Sequence, residues 1–163
     1  GLLDLTRTRT QDESTAGILT DMMLKIQTMA QIHTRLYESK QFGKIGLKDQ
    51  VRDQIVSLSN VFSYSGHEIS SEIHIKEIYL PVDQALPCAL VINEILSNSY
   101  KHAFKGKKQG TITISAVQEK GHIRITVRDN GVGMPEGFDI TRASSLGLKL
   151  VRTLVKHQLK ERS

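Results

Sequence analysis

At 163 residues the chain has room for one domain, or one domain with a helical appendage, and for a sizeable core. Its apolar fraction of 39% and charged fraction of 24% are those of a soluble globular protein. A net charge of +5 raises nucleic acid as a partner, yet the basic residues are scattered and only 5% of residues are aromatic, so no stacking platform stands out. The densest basic cluster, Lys105-Gly106-Lys107-Lys108, falls in a loop and reads as a solvated turn, with a contact to phosphate or an acidic partner as the alternative. The apolar run 88–92 is far too short to span a bilayer. Gly1-Leu2-Leu3-Asp4 lacks the layout of a signal peptide. A single cysteine, Cys88, forms no internal disulfide, and no Cys/His spacing suggests zinc. The expected location is the cytoplasm, with no membrane segment and no nucleic acid partner.

In chain order, residues 2–10 read as the end of a helix, with a turn at 11–14. Residues 15–38 form a long amphipathic helix in which Leu19, Met22, Ile26, Met29, His33 and Leu36 keep the spacing of a helix–helix seam. On that seam His33 is expected to be buried. The stretch 38–46, with Ser, Gln and two glycines, is the best domain boundary. Residues 47–62 are again helical, with Val51, Ile55, Leu58 and Phe62 on one face. Residues 72–78 alternate as a half-buried strand. Pro81 and Pro87 bracket the entry to a helix that runs to about Phe104. Residues 111–117 and 122–129 form a hairpin around Glu119-Lys120-Gly121, and 146–159 reads as a final helix. There is no internal repeat.

Two motifs carry the chemistry. His122-Ile123-Arg124-Ile125-Thr126-Val127-Arg128 alternates strictly and delivers Asp129-Asn130-Gly131-Val132-Gly133. A carboxylate at a strand end can accept a hydrogen bond from the amino group of adenine, and Gly131 and Gly133 let backbone approach a ligand. Alone this is weak and fits a plain turn. Upstream stands Asn93-Glu94-Ile95-Leu96-Ser97-Asn98-Ser99-Tyr100-Lys101-His102. At roughly 100° per residue, Glu94, Asn98 and Lys101 share a narrow arc, while Ile92, Leu96, Ser99 and Ala103 lie opposite. Glu94 and Asn98 offer the oxygens that a hard cation such as Mg2+ takes, with phosphates and waters completing its shell, and Lys101 could neutralise phosphate. A solvated helix face has the same pattern. Asn93, about a quarter-turn off the arc, reads as a structural hydrogen-bonder. His102 on the flank packs or touches phosphate. Ser144-Ser145-Leu146-Gly147-Leu148 opens the last helix, where backbone N–H groups bind anions and where Ser144 or Ser145 would equally serve as an N-cap. Met134 and the residues up to 143 are short and polar enough for a lid.

Residues 93–104, 129–135 and 144–151 resemble the N, G1 and G2 boxes of the ATP-binding domain of sensor histidine kinases, a fold shared with gyrase and MutL-type ATPases. Asn93-Glu94, Asn98, Lys101-His102-Ala103-Phe104 and Ser145-Leu146-Gly147-Leu148 look like the subgroup with the second type of histidine-kinase dimerisation domain. The segment Met29 to Tyr37 looks like the end of that domain. The resemblance implies an α/β fold, a two-layer α/β sandwich with a mixed sheet lacking its last strands, preceded by a helical dimerisation segment. It implies partial dimerisation helices at 1–40 and an ATP-binding catalytic domain at 44–163.

It further implies that Asp129 reads adenine, that Asn98 holds Mg2+ with Glu94, and that Gly131, Gly133, Met134, Ser145, Leu146, Gly147 and Leu148 shape the nucleotide loops, with Lys101 and His102 toward the phosphates. Glu94 stands where many kinases carry Asn and the related ATPases a catalytic Glu. Catalysis would rest on Glu94, Asn98 and Lys101, and the partners would be Mg-ATP, a response regulator receiver domain and a second copy of the chain. Three departures accompany this. Ala143 and Ser145 replace glycines common in the wider family, the closing strands are missing after Ser163, and the phosphoacceptor histidine expected just before Gly1 is absent. The expectation is a fragment that binds nucleotide without autophosphorylation. The competing readings are an ATP-hydrolysing switch of the gyrase or MutL kind and a non-catalytic anti-sigma-like module.

Overall fold

The computed structural model describes residues 13–38, 43–62 and 68–134. The expected helix at 2–10, residues 11 and 12 of the expected turn, the lid beyond Met134 and the final helix at 146–159 lie outside these residues, while Glu13 and Ser14 of that turn already belong to the first helix. Helix α1 spans Glu13–Glu38, strand β1 Lys44–Gly46, helix α2 Leu47–Phe62, strand β2 Glu68–Ile75, strand β3 Tyr79–Pro81 and helix α3 Val82–Asn98. A π turn, Ser99–Ala103, continues α3, followed by β4 (Gln109–Glu119) and β5 (His122–Asp129). Helices pack on one face of a mixed sheet. This is the α/β sandwich the sequence leads one to expect, preceded by a helix.

The sheet has the order β2-β4-β5, with β2 parallel and β5 antiparallel to β4. Register aligns Ile73 with Ile114 and Val127, and Ile75 with Ala116 and Ile125. Because side chains alternate with period two, these rows form one apolar face. Ile112, Ile114 and Ala116 are buried beneath α2 and α3 with Val51, Leu58, Ile92, Leu96 and Phe104. The opposite face carries Thr111, Thr113, Arg124, Thr126 and Arg128, none of them buried. The hairpin between β4 and β5 closes through Lys120 and Gly121, with φ of 49° and 83°. Two consecutive positive φ values match the right-handed twist of the strands. A second, two-stranded sheet pairs β1 antiparallel with β3.

Two expectations shift. Helix α3 starts at Val82, so Pro87 lies within it rather than at its entry. Lacking an N–H, Pro87 leaves the carbonyl of Asp83 without its helical donor, which is tolerable because Asp83 is solvent-exposed. The strand expected at 72–78 is instead β2, starting at Glu68 and ending at Ile75, with Ile78 buried in the loop before β3.

Along α1, the expected burial of His33 is corrected. Met22, Ile26 and Met29 are about half exposed (46%, 51% and 45%), and His33 is exposed too, stacked edge-on against Tyr37 with ring centroids 4.9 Å apart. What α1 buries against the rest of the chain is Leu24, Thr28 and Ile32, with Leu36 partly covered. That face lies roughly 100° round the helix from the seam. The helix has two adhesive faces, and α2 and α3 take the one with the weaker sequence pattern. Its contacts are partly polar: Gln31 Nε2 donates to Ser57 Oγ at 3.0 Å, and Arg35 Nε to Asp53 Oδ2 at 2.9 Å.

Candidate nucleotide site

Alternation along β5 puts Ile125, Val127 and Asp129 on the helix-covered face. Asp129 therefore ends an apolar row, level with Ile112 of β4 and, beyond it, Ser71 of β2. A carboxylate arriving there must find donors. Ser99 Oγ donates to Asp129 Oδ2 at 3.0 Å, and the Gly131 N–H donates to Oδ1 at 3.1 Å.

The loop after Asp129 packs directly on the π turn. A Cβ on Gly131 would sit 2.3 Å from the Ala103 carbonyl oxygen, so only glycine permits this approach. The Val132 N–H donates to that same oxygen at 2.8 Å. Lys107 Nζ donates to the carbonyls of Asn130 and Gly131 at 2.6 and 2.9 Å. Asn130 Oδ1 accepts the Thr111 N–H at 2.8 Å, locking the loop to the start of β4. Gly133 follows at φ 78°, a conformation L side chains rarely adopt. Met134 is exposed.

On α3, Glu94 is buried and forms an ion pair with Lys25 of α1 at 3.2 Å. Lys101 pairs with Asp21, one helical turn earlier on α1. Asn98 is half-buried between them and Asn93 is buried. The arc of Glu94, Asn98 and Lys101 is thus not a solvated helix face, since α1 lies across it. His102 is exposed on the flank; partial burial and then the charges of Lys105 and Lys101 lower its pKa, against an opposing pull from Asp21. Ser145, Leu146, Gly147 and Leu148 lie outside the described residues. Among the described residues, no three His, Cys, Asp or Glu side chains converge on a metal position. Glu94 and Asn98 are nonetheless chemically suited as oxygen donors to a hard cation whose other ligands come from phosphate and water.

Sequence reasoning missed Ser99 and Lys107. It assigned Ser99 to the sheet-facing side of the helix, and there it is. The overlooked signal was that the same alternation brings Asp129 to that side, where a serine becomes a donor rather than a small core residue. Lys107 read as a solvated turn; it fastens the glycine loop.

This architecture defines a class, the ATP-binding domains common to histidine kinases and gyrase-like ATPases. Residues 83–162 match the family of histidine kinase-, DNA gyrase B- and HSP90-like ATPases, and residues 1–62 match a histidine kinase family. The two matched segments together take in most of the chain and mark it as similar to the histidine kinases. It is 32% identical to the sensor histidine kinase PdtaS of Mycolicibacterium smegmatis over 97% of its own length, which is 32% of that relative. It is 33% identical over 54% of its length to blue-light-activated histidine kinase 2 of Erythrobacter litoralis, covering 26% of it. The chain thus spans about a third of the length of the curated kinases it matches. An anti-sigma F factor of Bacillus licheniformis is 26% identical over 55% of this chain and 60% of its own. Among solved structures, the histidine kinase domain of an Erythrobacter litoralis blue-light activated kinase superposes with a TM-score of 0.73 at 20% identity, covering 94% of this chain and 81% of that one.

Proposed function

We propose that this chain binds Mg-ATP as the catalytic part of a two-component sensor histidine kinase, delivering the γ-phosphoryl group to a histidine and from there to a response regulator receiver domain. The observation that carries the reading is Asp129, a carboxylate at the end of an apolar row with one donor on each oxygen, beside a glycine loop clamped onto the helix of Glu94, Asn98 and Lys101. Asp129 accepts the adenine amino group; Gly131, Gly133 and Met134 border the base. Asn98 and Glu94 would hold Mg2+, which supplies charge neutralisation on the phosphates. Lys101 and His102 lie toward the phosphates, and Ser145, Leu146, Gly147 and Leu148 give backbone N–H groups to them. Phosphoryl transfer leaves the protein mainly positioning and charge stabilisation, which these residues provide. Residues 1–40 act as dimerisation helices and 44–163 as the catalytic domain. No helix among the described residues is long and apolar enough to cross a membrane, and we place the activity in the cytoplasm.

The anti-sigma alternative draws on a likeness limited to about half the chain. The match of residues 1–62 to a histidine kinase family favours the kinase. Calorimetry with Mg-ADP tests the reading. Asp129→Asn turns an acceptor into a donor facing the adenine amino group and is expected to cost about tenfold or more in affinity. Unchanged affinity would remove adenine from this position. Labelled ATP, supplied with a separate histidine-bearing dimerisation helix, should place acid-labile phosphate on histidine; release into solution would favour a hydrolytic switch, and no transfer a binding module.

A further inference from the structure

We propose that Ser99 is the positioning residue that sets Asp129 for base discrimination, an inference resting on the nucleotide reading above. The hydroxyls of Thr20, Thr28 and Thr34 elsewhere in the chain all turn back on their own helix, donating to the carbonyls of Ala16, Leu24 and Ala30 at 2.9, 2.9 and 3.0 Å. This is the usual habit of a helical hydroxyl. Ser99 departs from it. Its hydroxyl crosses to the sheet and donates to Asp129 Oδ2 at 3.0 Å from a buried position.

The rest of the Asp129 surroundings is already held by the sheet register and by the loop's hydrogen bonds. Its Cα is paired with Ile112 on β4, and the next residues are held by Thr111, Ala103 and Lys107. The remaining freedom is rotation of the carboxyl group. The Gly131 N–H restrains Oδ1; Ser99 restrains Oδ2. With one donor on each oxygen, each oxygen keeps a lone pair free as an acceptor in a fixed plane. A base presenting an exocyclic amino group satisfies them. A base presenting a carbonyl there, such as hypoxanthine or guanine, meets acceptor with acceptor. Removing the Ser99 hydroxyl lets the carboxyl group turn, so the loss falls on discrimination and not merely on affinity.

The same helix turn explains why a serine can stand here. Ser99 opens the π turn, and its N–H is shared between the carbonyls of Ile95 and Leu96. π turns occur frequently at functional sites. In this one the end of the helix bends its polar groups onto the glycine loop.

The test is titration of the full chain, with Mg2+, by ADP and by inosine diphosphate, which differs at the purine 6-position. Ser99→Ala should weaken ADP about tenfold while leaving inosine diphosphate nearly unchanged, so that the ratio of affinities collapses. Ser99→Thr keeps the hydroxyl and should hold the ratio within about twofold of the parent. Thermal melts run on each variant. Should Ser99→Ala unfold, the threonine variant decides alone, since a folded Ser99→Thr that loses the ratio overturns the proposal. Equal losses for both nucleotides, or none, in Ser99→Ala would also overturn it. If Asp129→Asn abolishes discrimination and Ser99→Ala does not, Ser99 is dismissed and the adenine reading stands. If the parent binds neither nucleotide, the adenine reading itself falls, and the positioning role with it.

Discussion

At the scale of single residues, Gly131 and His102 carry the sharpest consequences. Gly131→Ala forces a methyl group into the Ala103 backbone oxygen, an atom held in place by the Val132 N–H. Backbone cannot swing aside as a flexible side chain does, so the cost should be about 1–3 kcal/mol. Urea unfolding will measure it, and an unaffected midpoint would mean that the loop has another seat. His102 gives a pH signature. Its pKa is lowered from the ordinary 6.5, through burial first and the neighbouring lysines next. The unfolded chain therefore takes up this proton more readily than the folded one. Above the ordinary value both states are neutral and His102 contributes nothing. As pH falls through that value towards the folded pKa, stability declines. His102→Gln should remove this acid-side decline, with parent and variant curves coinciding at higher pH. A decline of the same depth in both would assign it to other groups.

Between elements, the contact of α1 with α3 falls on the candidate site. Lys25 pairs with Glu94 and Asp21 with Lys101, so the two side chains expected at the metal and phosphates are engaged by α1. They cannot give the same charge to α1 and to Mg-nucleotide at full strength. Docking of α1 and nucleotide binding are accordingly expected to oppose each other. Partly exposed ion pairs are worth about 1 kcal/mol or less each. Removing both, in Asp21→Ala with Lys25→Ala, should raise Mg-ADP affinity by up to about tenfold. Calorimetry on the double variant checks this, and an affinity equal to the parent's or weaker counts against the opposition. The polar lining of the α1–α2 contact, Gln31 with Ser57 and Arg35 with Asp53, suits a helix that docks and leaves.

For the whole molecule, the outward seam of α1 is the outstanding feature. Ile18, Met22, Ile26 and Met29 form an exposed apolar stripe along a helix whose other face is already occupied. Such a stripe favours a second helix, and in a histidine kinase the natural occupant is the same helix of another copy, packed as a bundle. Concentration-dependent association is expected in light scattering. Met22→Glu with Ile26→Glu should abolish it without lowering the thermal midpoint, because neither side chain is in the core. A parent that stays monomeric at high concentration would leave the stripe without this partner.

Local periodicity was sufficient wherever chain neighbours decide the outcome. Alternation in 122–128 fixed which side of β5 faces the helices and 3.6-residue spacing fixed α2, since each signal is a repeat within one element; the order of Asn93-Glu94…Asn98 before Asp129…Gly131 pointed to the ATPase family by resemblance. Only the tertiary structure decided which face of α1 would be buried, because two faces compete and the surface of α2 and α3 selects between them. It alone turned His33 outward, joined Lys25 to Glu94 across the chain, and set Ser99 against Asp129. Those pairings depend on how elements far apart in the chain come together, and no window of sequence contains both partners with the geometry that joins them.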